Sequence, residues 1–288
     1  MRLPLFAYPA DNLSVSNHWW KWSAACIAVV AIVAAIWAIL SRPVETAEHE
    51  IFRGVTYQCT IYPSSSEVRG AAHIVIADLS VPGISLFVTP MDQDALARGW
   101  EYRLDYVSSV AKRENLAIAI NGGYFAADSR FMDSKGDYAV STEVAIADHR
   151  PNHINLHSYM LWFDDDQIPH VEYNKPPRAE AIRRAKWCLS GQMVVLQHGE
   201  VNPYADPLVD KRVALGFNAT TKKLYIAAFE HASPSFAAAT LAKLGATDAV
   251  MMDGGGSTTM VIGNKTVLGG WRPVATTFGI HANPLQTN

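Results

Sequence analysis

Cysteine is scarce in this sequence, and positive charge is not in excess. Only three of 288 residues are cysteine, too few for a disulfide framework, and whether Cys59 and Cys188 pair stays open. The net charge is -3 and no basic stripe follows the chain, so nothing favours a nucleic-acid partner. No sequence motif indicates a cofactor-binding site, so we expect no cofactor. The 49% hydrophobic and 18% charged content is that of an ordinary globular protein.

An uncharged apolar segment near the N-terminus is the clearest targeting signal. Residues 24–40 form a run of 17 apolar residues, which Trp22 and Ser23 extend to the length of a bilayer-spanning helix. A cleaved signal peptide fits less well, because a 21-residue leader precedes the run and no A-x-A site follows it. The slight excess of basic residues before the run favours a cytoplasmic N-terminus. We predict a cytoplasmic segment over 1–21, a single lipid-embedded anchor over 22–41, a tether over 42–50 and a periplasmic or extracellular domain over 51–288.

The rest of the chain alternates short β-prone runs with a few amphipathic segments. Residues 73–79 and 84–90 are joined by S-V-P-G and predict one hairpin, and the residues around Asn218–Lys222 predict another. Residues 233–246 have the caps and apolar spacing of a helix. No repeat or low-complexity segment occurs. The pattern predicts one α+β or mixed α/β domain, with a mixed β-sheet core flanked by helices.

Two glycine-rich loops follow buried strands and carry the strongest functional signal. The short apolar runs 116–120 and 248–252 lead directly into N-G-G-Y-F and D-G-G-G-S-T-T. Loops at strand ends are where α/β proteins usually bind ligands, and Asn121 and Asp253 begin these loops. Neither loop has a P-loop or dinucleotide-binding sequence, and each alone is equally consistent with a tight turn. Together they predict a shared cleft.

Two further arrangements are weaker signals. Ser257 does not lie in a G-x-S-x-G elbow, so the sequence favours a hydrogen-bonding hydroxyl over a nucleophile. His149, His153 and His157 recur every four residues, as zinc ligands on one helix face would. Pro151 interrupts that spacing and favours a loop, so no metal site is predicted.

Five motifs, taken in order, resemble the phosphodiester glycosidase family. They are A-I-N-G-G-Y-F, L-S-G-Q-M-V-V, R-V-A-L-G-F, L-A-K-L-G-A-T-D-A-V-M-M-D-G-G-G-S-T-T-M and R-P-V-A-T-T-F-G-I-H-A, and the resemblance extends over about 51–285. The fourth motif is the most specific. The resemblance implies hydrolysis of a sugar-1-phosphodiester bond, with N-acetylglucosamine as the sugar and a small molecule or glycan phosphodiester as the substrate.

The resemblance also implies which residues form the site. Positions that match the family's motifs, and that we expect to bind substrate, are Asn121, Gly122, Gly123, Tyr124, Ser190, Gly191, Arg212, Gly254, Gly255, Gly256, Ser257, Thr258 and Arg272. One departure is visible at Glu230, where relatives often have aspartate.

The chemistry of the proposed reaction suggests a role for each of these residues. A phosphate is a good leaving group and needs little protonation to depart. The main tasks of the enzyme are therefore to hold the phosphate, to stabilise an oxocarbenium-like centre and to activate water. Arg212 and Arg272 suit the phosphate, although either could be an ordinary solvated strand end. Asp253 is the first choice for the catalytic carboxylate, and Glu230 is the second. The alternative function is a saccharide- or cell-wall-binding protein that uses the same cleft without turnover.

Overall fold

The computed structural model describes residues 19–129, 131–152, 159–173, 178–191, 193–203 and 208–286. The chain divides into two compact units, 1–42 and 43–288. The first unit contains helix α1 (Trp19–Leu40), whose side chains are described from residue 27 and are exposed up to residue 40. Most of the predicted cytoplasmic segment lies outside the described residues. Within the described part of the chain, no helix is both long and apolar enough to cross a membrane.

The second unit is built mainly from strands. Among its described residues, the four α-helices are short: α2 (Gln93–Leu96), α3 (Val107–Arg113), α4 (Ala179–Arg184) and α5 (Pro234–Lys243). A 3-10 turn covers Gly255–Ser257. The strands are β1 (Val44–Glu45), β2 (His49–Phe52), β3 (Val55–Tyr62), β4 (Val68–Asp78), β5 (Ser85–Val88), β6 (Tyr102–Arg103), β7 (Ile118–Asn121), β8 (Phe125–Ala127), β9 (Tyr138–Ser141), β10 (Ala145–Ala147), β11 (Arg150–Pro151), β12 (Tyr159–Phe163), β13 (Pro169–Glu172), β14 (Trp187–Gly191), β15 (Met193–Gln197), β16 (Glu200–Val201), β17 (Asp210–Asn218), β18 (Lys223–Ala232), β19 (Asp248–Met251), β20 (Met260–Ile262), β21 (Lys265–Leu268) and β22 (Thr277–His281).

The strands of the described residues form four sheets. The largest has nine strands in the order β1-β3-β4-β18-β17-β19-β15-β16, and β2 also pairs with β3. Two five-stranded sheets have the orders β11-β10-β14-β12-β13 and β21-β20-β7-β22-β5, and a three-stranded sheet has the order β6-β9-β8. The main core lies between the nine-stranded sheet and the two five-stranded sheets, and the other face of the large sheet packs against α5.

Several predictions from the sequence are confirmed. β17 and β18 form the predicted hairpin, in register from Asn218↔Lys223 to Arg212↔Phe229. α5 occupies the predicted helical segment because the Ser233 hydroxyl accepts a hydrogen bond from the Phe236 amide (3.1 Å) at its start. The two short apolar runs form the buried strands β7 and β19. The α+β class and the single globular domain therefore agree with the structure.

Two other predictions are wrong. The sheets are not mixed, because every strand pair among the described residues is antiparallel. β4 and β5 are not a hairpin, because β5 leaves the large sheet and pairs with β22 instead. The segment predicted as a tether contains β1 and the start of β2, which pair with β3. In each case a long-range strand pairing overrides the local sequence pattern.

Candidate active site

Strands from three different sheets end around the D-G-G-G-S loop. β19 of the large sheet leads into Asp253, and the Asp253 amide donates to the Gly122 carbonyl just beyond β7 (3.1 Å). β14 ends at Gly191, where a Cβ would lie 2.2 Å from the Met251 carbonyl oxygen. The structure thus brings the N-G-G, S-G and D-G-G-G-S motifs together, although they lie far apart in the sequence.

Asn121 connects the two glycine loops. Its side-chain nitrogen donates to the Asp253 carbonyl oxygen (2.7 Å), and its side-chain oxygen accepts from the Thr259 amide (3.0 Å). The residue is completely buried. Asn121 therefore fixes the backbone at both ends of the loop after β19, and in this arrangement its amide group contacts protein rather than substrate.

Packing within the protein accounts for the three consecutive glycines. Gly254 lies against β17, where a Cβ would approach the Lys211 carbonyl oxygen to 2.8 Å. Gly255 has a φ of +56°, in the left-handed region that side chains disfavour. Gly256 is covered by the Trp271 ring. The close approach of a ligand is thus not needed to explain the glycines, but they let the loop turn back tightly over Asp253.

Asp253 is a buried carboxyl group in a mixed electrostatic environment. Its side chain is 8% exposed, and Oδ2 lies 4.0 Å from Nη1 of Arg272. Burial raises the pKa of Asp253, while the nearby Ser257 hydroxyl and the Arg272 charge lower it and the Asp133 charge raises it. The net direction is upward, so the carboxylate is a stronger base than an exposed aspartate.

Arg272 lies beside Asp253 and is held from two sides. Its Nε donates to Oδ2 of Asp133 (2.5 Å), and its guanidinium carbon lies 4.2 Å from the centre of the Phe125 ring. The amide of Arg272 donates to the Gly256 carbonyl oxygen (3.2 Å), which ties it to the glycine loop. The guanidinium is therefore oriented before any ligand binds.

Arg212 approaches the same loop from β17. Its Nη2 donates to the Leu208 carbonyl oxygen (2.9 Å), and its Nη1 lies 3.5 Å from the point where a Gly254 Cβ would stand. The two predicted arginines thus lie on either side of the loop that Asp253 begins.

Several of the buried polar atoms without a hydrogen-bond partner lie at or beside this loop in the described part of the chain. Among the described residues, no hydrogen-bond partner is found for Asp253 Oδ2, Ser257 Oγ, Thr258 Oγ1 and Arg212 Nε. Buried polar atoms in native proteins are nearly always hydrogen-bonded, so a cluster of exceptions needs an explanation such as a ligand or a catalytic role.

The remaining predicted residues occupy the surroundings of the site or lie outside it. Tyr124 is half-buried, and its carbonyl oxygen accepts from the Thr142 amide (3.0 Å). Ser190 is buried, with its hydroxyl 3.8 Å from the Cys188 sulfur. Glu230 lies on β18, two strands from β19, and its carboxylate accepts from the Ala71 amide (2.9 Å).

Among the described residues, the cysteines and His149 show none of the contacts with the D-G-G-G-S loop that the two arginines make. Cys59 and Cys188 are both free thiols, and burial raises the pKa of Cys188 to about 12, which makes its thiol unreactive. His149 lies 3.1 Å from Asp165, whereas His153 and His157 fall outside the described residues. No cluster of three metal-ligating side chains is found among the residues that the structure describes.

Two acidic residues at the site were missed by sequence reasoning. Asp133 contacts Arg272, and Glu143 is 1% exposed, with Oε2 lying 2.4 Å from the point where a Gly123 Cβ would stand. Glu143 could have been noticed as a lone acid directly before the apolar run V-A-I-A at 144–147. Asp133 has no such signal, because it follows two apolar residues in an irregular loop.

A cavity of about 620 Å³ lies away from this loop. It is lined by residues that include Thr89, Asp105, Arg113, Lys135 and Thr277, and by none of the predicted site residues. Asp105 forms ion pairs there with Arg113 (2.7 Å) and Lys135 (2.8 Å). The cavity is therefore not the predicted cleft.

The chain is similar to one protein family and to several solved structures. The family model for phosphodiester glycosidases matches residues 114–281, more than half of the chain. No curated protein sequence gives a significant match. The fold resembles the catalytic domain of zebrafish N-acetylglucosamine-1-phosphodiester alpha-N-acetylglucosaminidase auto-inhibited by its pro-peptide, with a TM-score of 0.59 and 17% identity over 84% of this chain and 88% of that one.

Two other solved structures share the fold. A hypothetical protein from Synechocystis has a TM-score of 0.55 and 12% identity, over 80% of this chain and 62% of that one. A Burkholderia pseudomallei protein described as exported has a TM-score of 0.57 and 13% identity, over 73% of this chain and 74% of that one. At such identities these likenesses establish the fold alone.

Proposed function

We propose that this chain, which belongs to the phosphodiester glycosidase family, hydrolyses the bond between a sugar's anomeric carbon and the phosphate of a phosphodiester. Family membership supports a hydrolase of the glycosidase type that acts on a glycan substrate. N-acetylglucosamine is the sugar we propose, because the structurally similar zebrafish protein is named for that activity.

The observation that carries this proposal is the cluster of buried polar atoms without partners. A carboxyl oxygen, two hydroxyl groups and a guanidinium nitrogen lie at or beside one loop without a hydrogen bond of standard geometry from the described residues, although the Ser257 hydroxyl is close enough to Asp253 to lower its pKa. A sugar phosphate offers what such a set needs, because its hydroxyls can donate to the carboxylate and its phosphate oxygens can accept from the other groups. A loop that served only as a turn would not leave these atoms unbonded.

The roles follow from the charges. Arg272 and Arg212 bind the phosphate through charge-assisted hydrogen bonds, so that it leaves as a stabilised anion. Asp253 accepts a proton from the attacking water while that water bonds to the anomeric carbon and the bond from this carbon to the phosphate oxygen breaks. The products are a free sugar and a phosphate monoester, and one water molecule is consumed. A raised pKa suits Asp253 to this task, since it makes the carboxylate more basic.

The experiment is a release assay on the full-length purified protein. N-acetylglucosamine linked through phosphate to a simple alcohol is offered, and free sugar and the phosphate monoester are measured together. We expect both products in equal amounts, and their loss in the Asp253→Asn variant. Binding of the substrate without release of either product would support the saccharide-binding alternative.

The cellular location is proposed on sequence grounds. α1 covers the predicted anchor over 22–41, and its described side chains, which include Ile27, Trp37 and Leu40, are exposed. We propose that this segment holds the protein in a bilayer with the C-terminal domain outside the cytoplasm. A reporter fused after Asn288 tests this, because activity of a cytoplasm-dependent reporter would contradict the orientation.

A further inference from the structure

The Asp133–Arg272 ion pair has a geometry that leaves half of the guanidinium group available. Asp133 Oδ2 accepts from Nε (2.5 Å), while the Ser129 hydroxyl donates to Oδ1 (2.5 Å) and so fixes the carboxylate. Phe125 covers one face of the guanidinium. Asp133 is 15% exposed at its side chain, so this contact is largely shielded from water.

The other end of the guanidinium points towards Asp253. Nη1 lies 4.0 Å from Asp253 Oδ2, which is too far for a hydrogen bond, and neither Nη nitrogen has an acceptor among the described residues. Arginine binds phosphate best with two parallel N–H groups, and the Nη pair is such a fork. An anion at this end would lie directly beside Asp253.

Resting on the proposed function, we propose that Asp133 is a positioning residue, which holds the Nε edge of Arg272 so that the Nη end meets the phosphate of the substrate beside Asp253. Asp133 itself needs no contact with the substrate. Its carboxylate can stay in place when the phosphate binds, because the two anions use different edges of the guanidinium.

The charge of Asp133 has a second effect, on Asp253. It raises the pKa of Asp253, in opposition to Arg272, and removing it should therefore lower that pKa. The other charged groups around the loop are Asp210, Lys211 and Arg212 of β17 and, behind Gly123, Glu143. Asp133→Asn keeps an acceptor for Nε of Arg272, so a shift in that variant can be assigned to the lost charge.

Three variants of the full-length protein separate orientation from charge. Asp133→Asn keeps an acceptor oxygen but removes the charge, and Asp133→Ala removes both. Asp137→Asn is the matched control, because Asp137 lies in the same loop but accepts from the Ser134 amide (2.8 Å) instead of from Arg272. Binding of methyl phosphate is measured by calorimetry, kcat and KM are measured on the sugar phosphodiester, and the Asp253 carboxyl is titrated by infrared difference against Asp253→Asn.

We expect Asp133→Ala to weaken methyl phosphate binding and to raise KM about 10-fold, the effect of misplacing one charge-assisted contact. Asp133→Asn should bind within about threefold of wild type, yet its Asp253 titration and the acid limb of kcat/KM should shift to lower pH. Asp137→Asn should change neither. A merely structural residue would lower Tm in both Asp133 variants without any shift in the titration.

Wild-type binding and an unshifted Asp253 titration in both Asp133 variants would overturn the proposal. If Asp133→Ala does not fold, Asp133→Ser, whose side chain is too short to hold Nε of Arg272, replaces it in the binding and KM measurements. If the wild-type protein neither binds methyl phosphate nor releases sugar, the proposed function fails and the positioning role fails with it. In that case the infrared titration still shows separately whether the Asp133 charge acts on Asp253.

Discussion

Asp253 and Glu230 are two carboxyl groups near the ends of strands of the same sheet, β19 and β18, which both pair with β17, yet their surroundings differ. Glu230 lies at a bulge between β18 and β4, where its carboxylate accepts from the Ala71 amide and fills the space above Gly70. Asp253 begins a tight loop, with one buried oxygen that no described residue bonds. With a spacing of about 4.8 Å between strands, roughly 10 Å separates the two backbones.

The difference shows how a fold can use similar residues for opposite purposes. The Glu230 carboxylate satisfies a backbone donor that the bulge frees from the ladder, so its acceptor capacity is used in holding the sheet. The Asp253 carboxylate carries a desolvation cost that its neighbours only partly offset. Groups of the second kind are concentrated at active sites, because chemistry requires a group that is not already satisfied.

Neutralising Asp253 should have the largest effect on turnover and is the strongest test of its catalytic role. Asp253→Asn keeps the volume and one acceptor oxygen, and we expect turnover to fall by about 100-fold or more, the usual size of a general-base contribution. Steady-state kinetics of the purified full-length variant measures this, with circular dichroism to confirm that it folds. Near wild-type turnover in a folded variant would show that Asp253 is not the catalytic carboxylate.

Arg272 provides the next largest effect, because it is the cation closest to Asp253. Arg272→Ala should weaken phosphate binding about 10- to 150-fold, the worth of a desolvated charge-assisted contact of roughly 1.5–3 kcal/mol. Arg272→Lys keeps the charge but loses the fork, so we expect it to recover only part of the affinity. Calorimetric titration with methyl phosphate gives both values. If Arg272→Ala bound like wild type, the phosphate role would have to move to Arg212.

Sequence reasoning found the parts of this site that are local and missed those that depend on distant pairing. The loops after β7 and β19 could be located because each follows a short buried strand in a distinctive motif. Asp133 could not be located, because it reaches Arg272 across 139 residues from an irregular loop. The pairing of β5 with β22 could not be predicted either, because no local pattern encodes a partner strand. This pairing brings Thr89 and Thr277 together, although they are 188 residues apart in the sequence.

A third test uses stability, where Asp253 should behave in the opposite way to an ordinary salt-bridged aspartate. The folded-state pKa of Asp253 is raised above its ordinary value of 3.8, so between these two pKa values the folded protein binds more protons than the unfolded chain. Stability attributable to this group is therefore greatest at pH values below 3.8 and declines as pH rises to the folded-state pKa.

Asp253→Asn removes this penalty, so at neutral pH the variant should melt at a higher temperature than wild type. For a domain of this size each kcal/mol corresponds to roughly 2–4 °C. Differential scanning calorimetry at neutral pH and at a pH below the carboxyl range measures the two differences, and the gain should vanish at the lower pH. A lower Tm at neutral pH would mean that the carboxylate stabilises the loop instead.

Substitutions of Glu230 should have the smallest effect on turnover, and they test whether this carboxylate is structural. Glu230→Gln keeps an oxygen that can accept from the Ala71 amide, so we expect turnover and Tm close to wild type. Glu230→Ala leaves that part-buried donor without its partner and should cost about 1 kcal/mol in the free energy of unfolding, with turnover retained. Urea denaturation and the sugar-release assay on both variants measure these effects, and Asp253→Asn is assayed beside them for comparison.

A folded Glu230→Gln that loses turnover by about 100-fold, together with an active Asp253→Asn, would exchange the two roles. It would also mean that the carboxylate leaves the Ala71 amide when substrate binds, since a bonded carboxylate at the bulge cannot reach the loop two strands away.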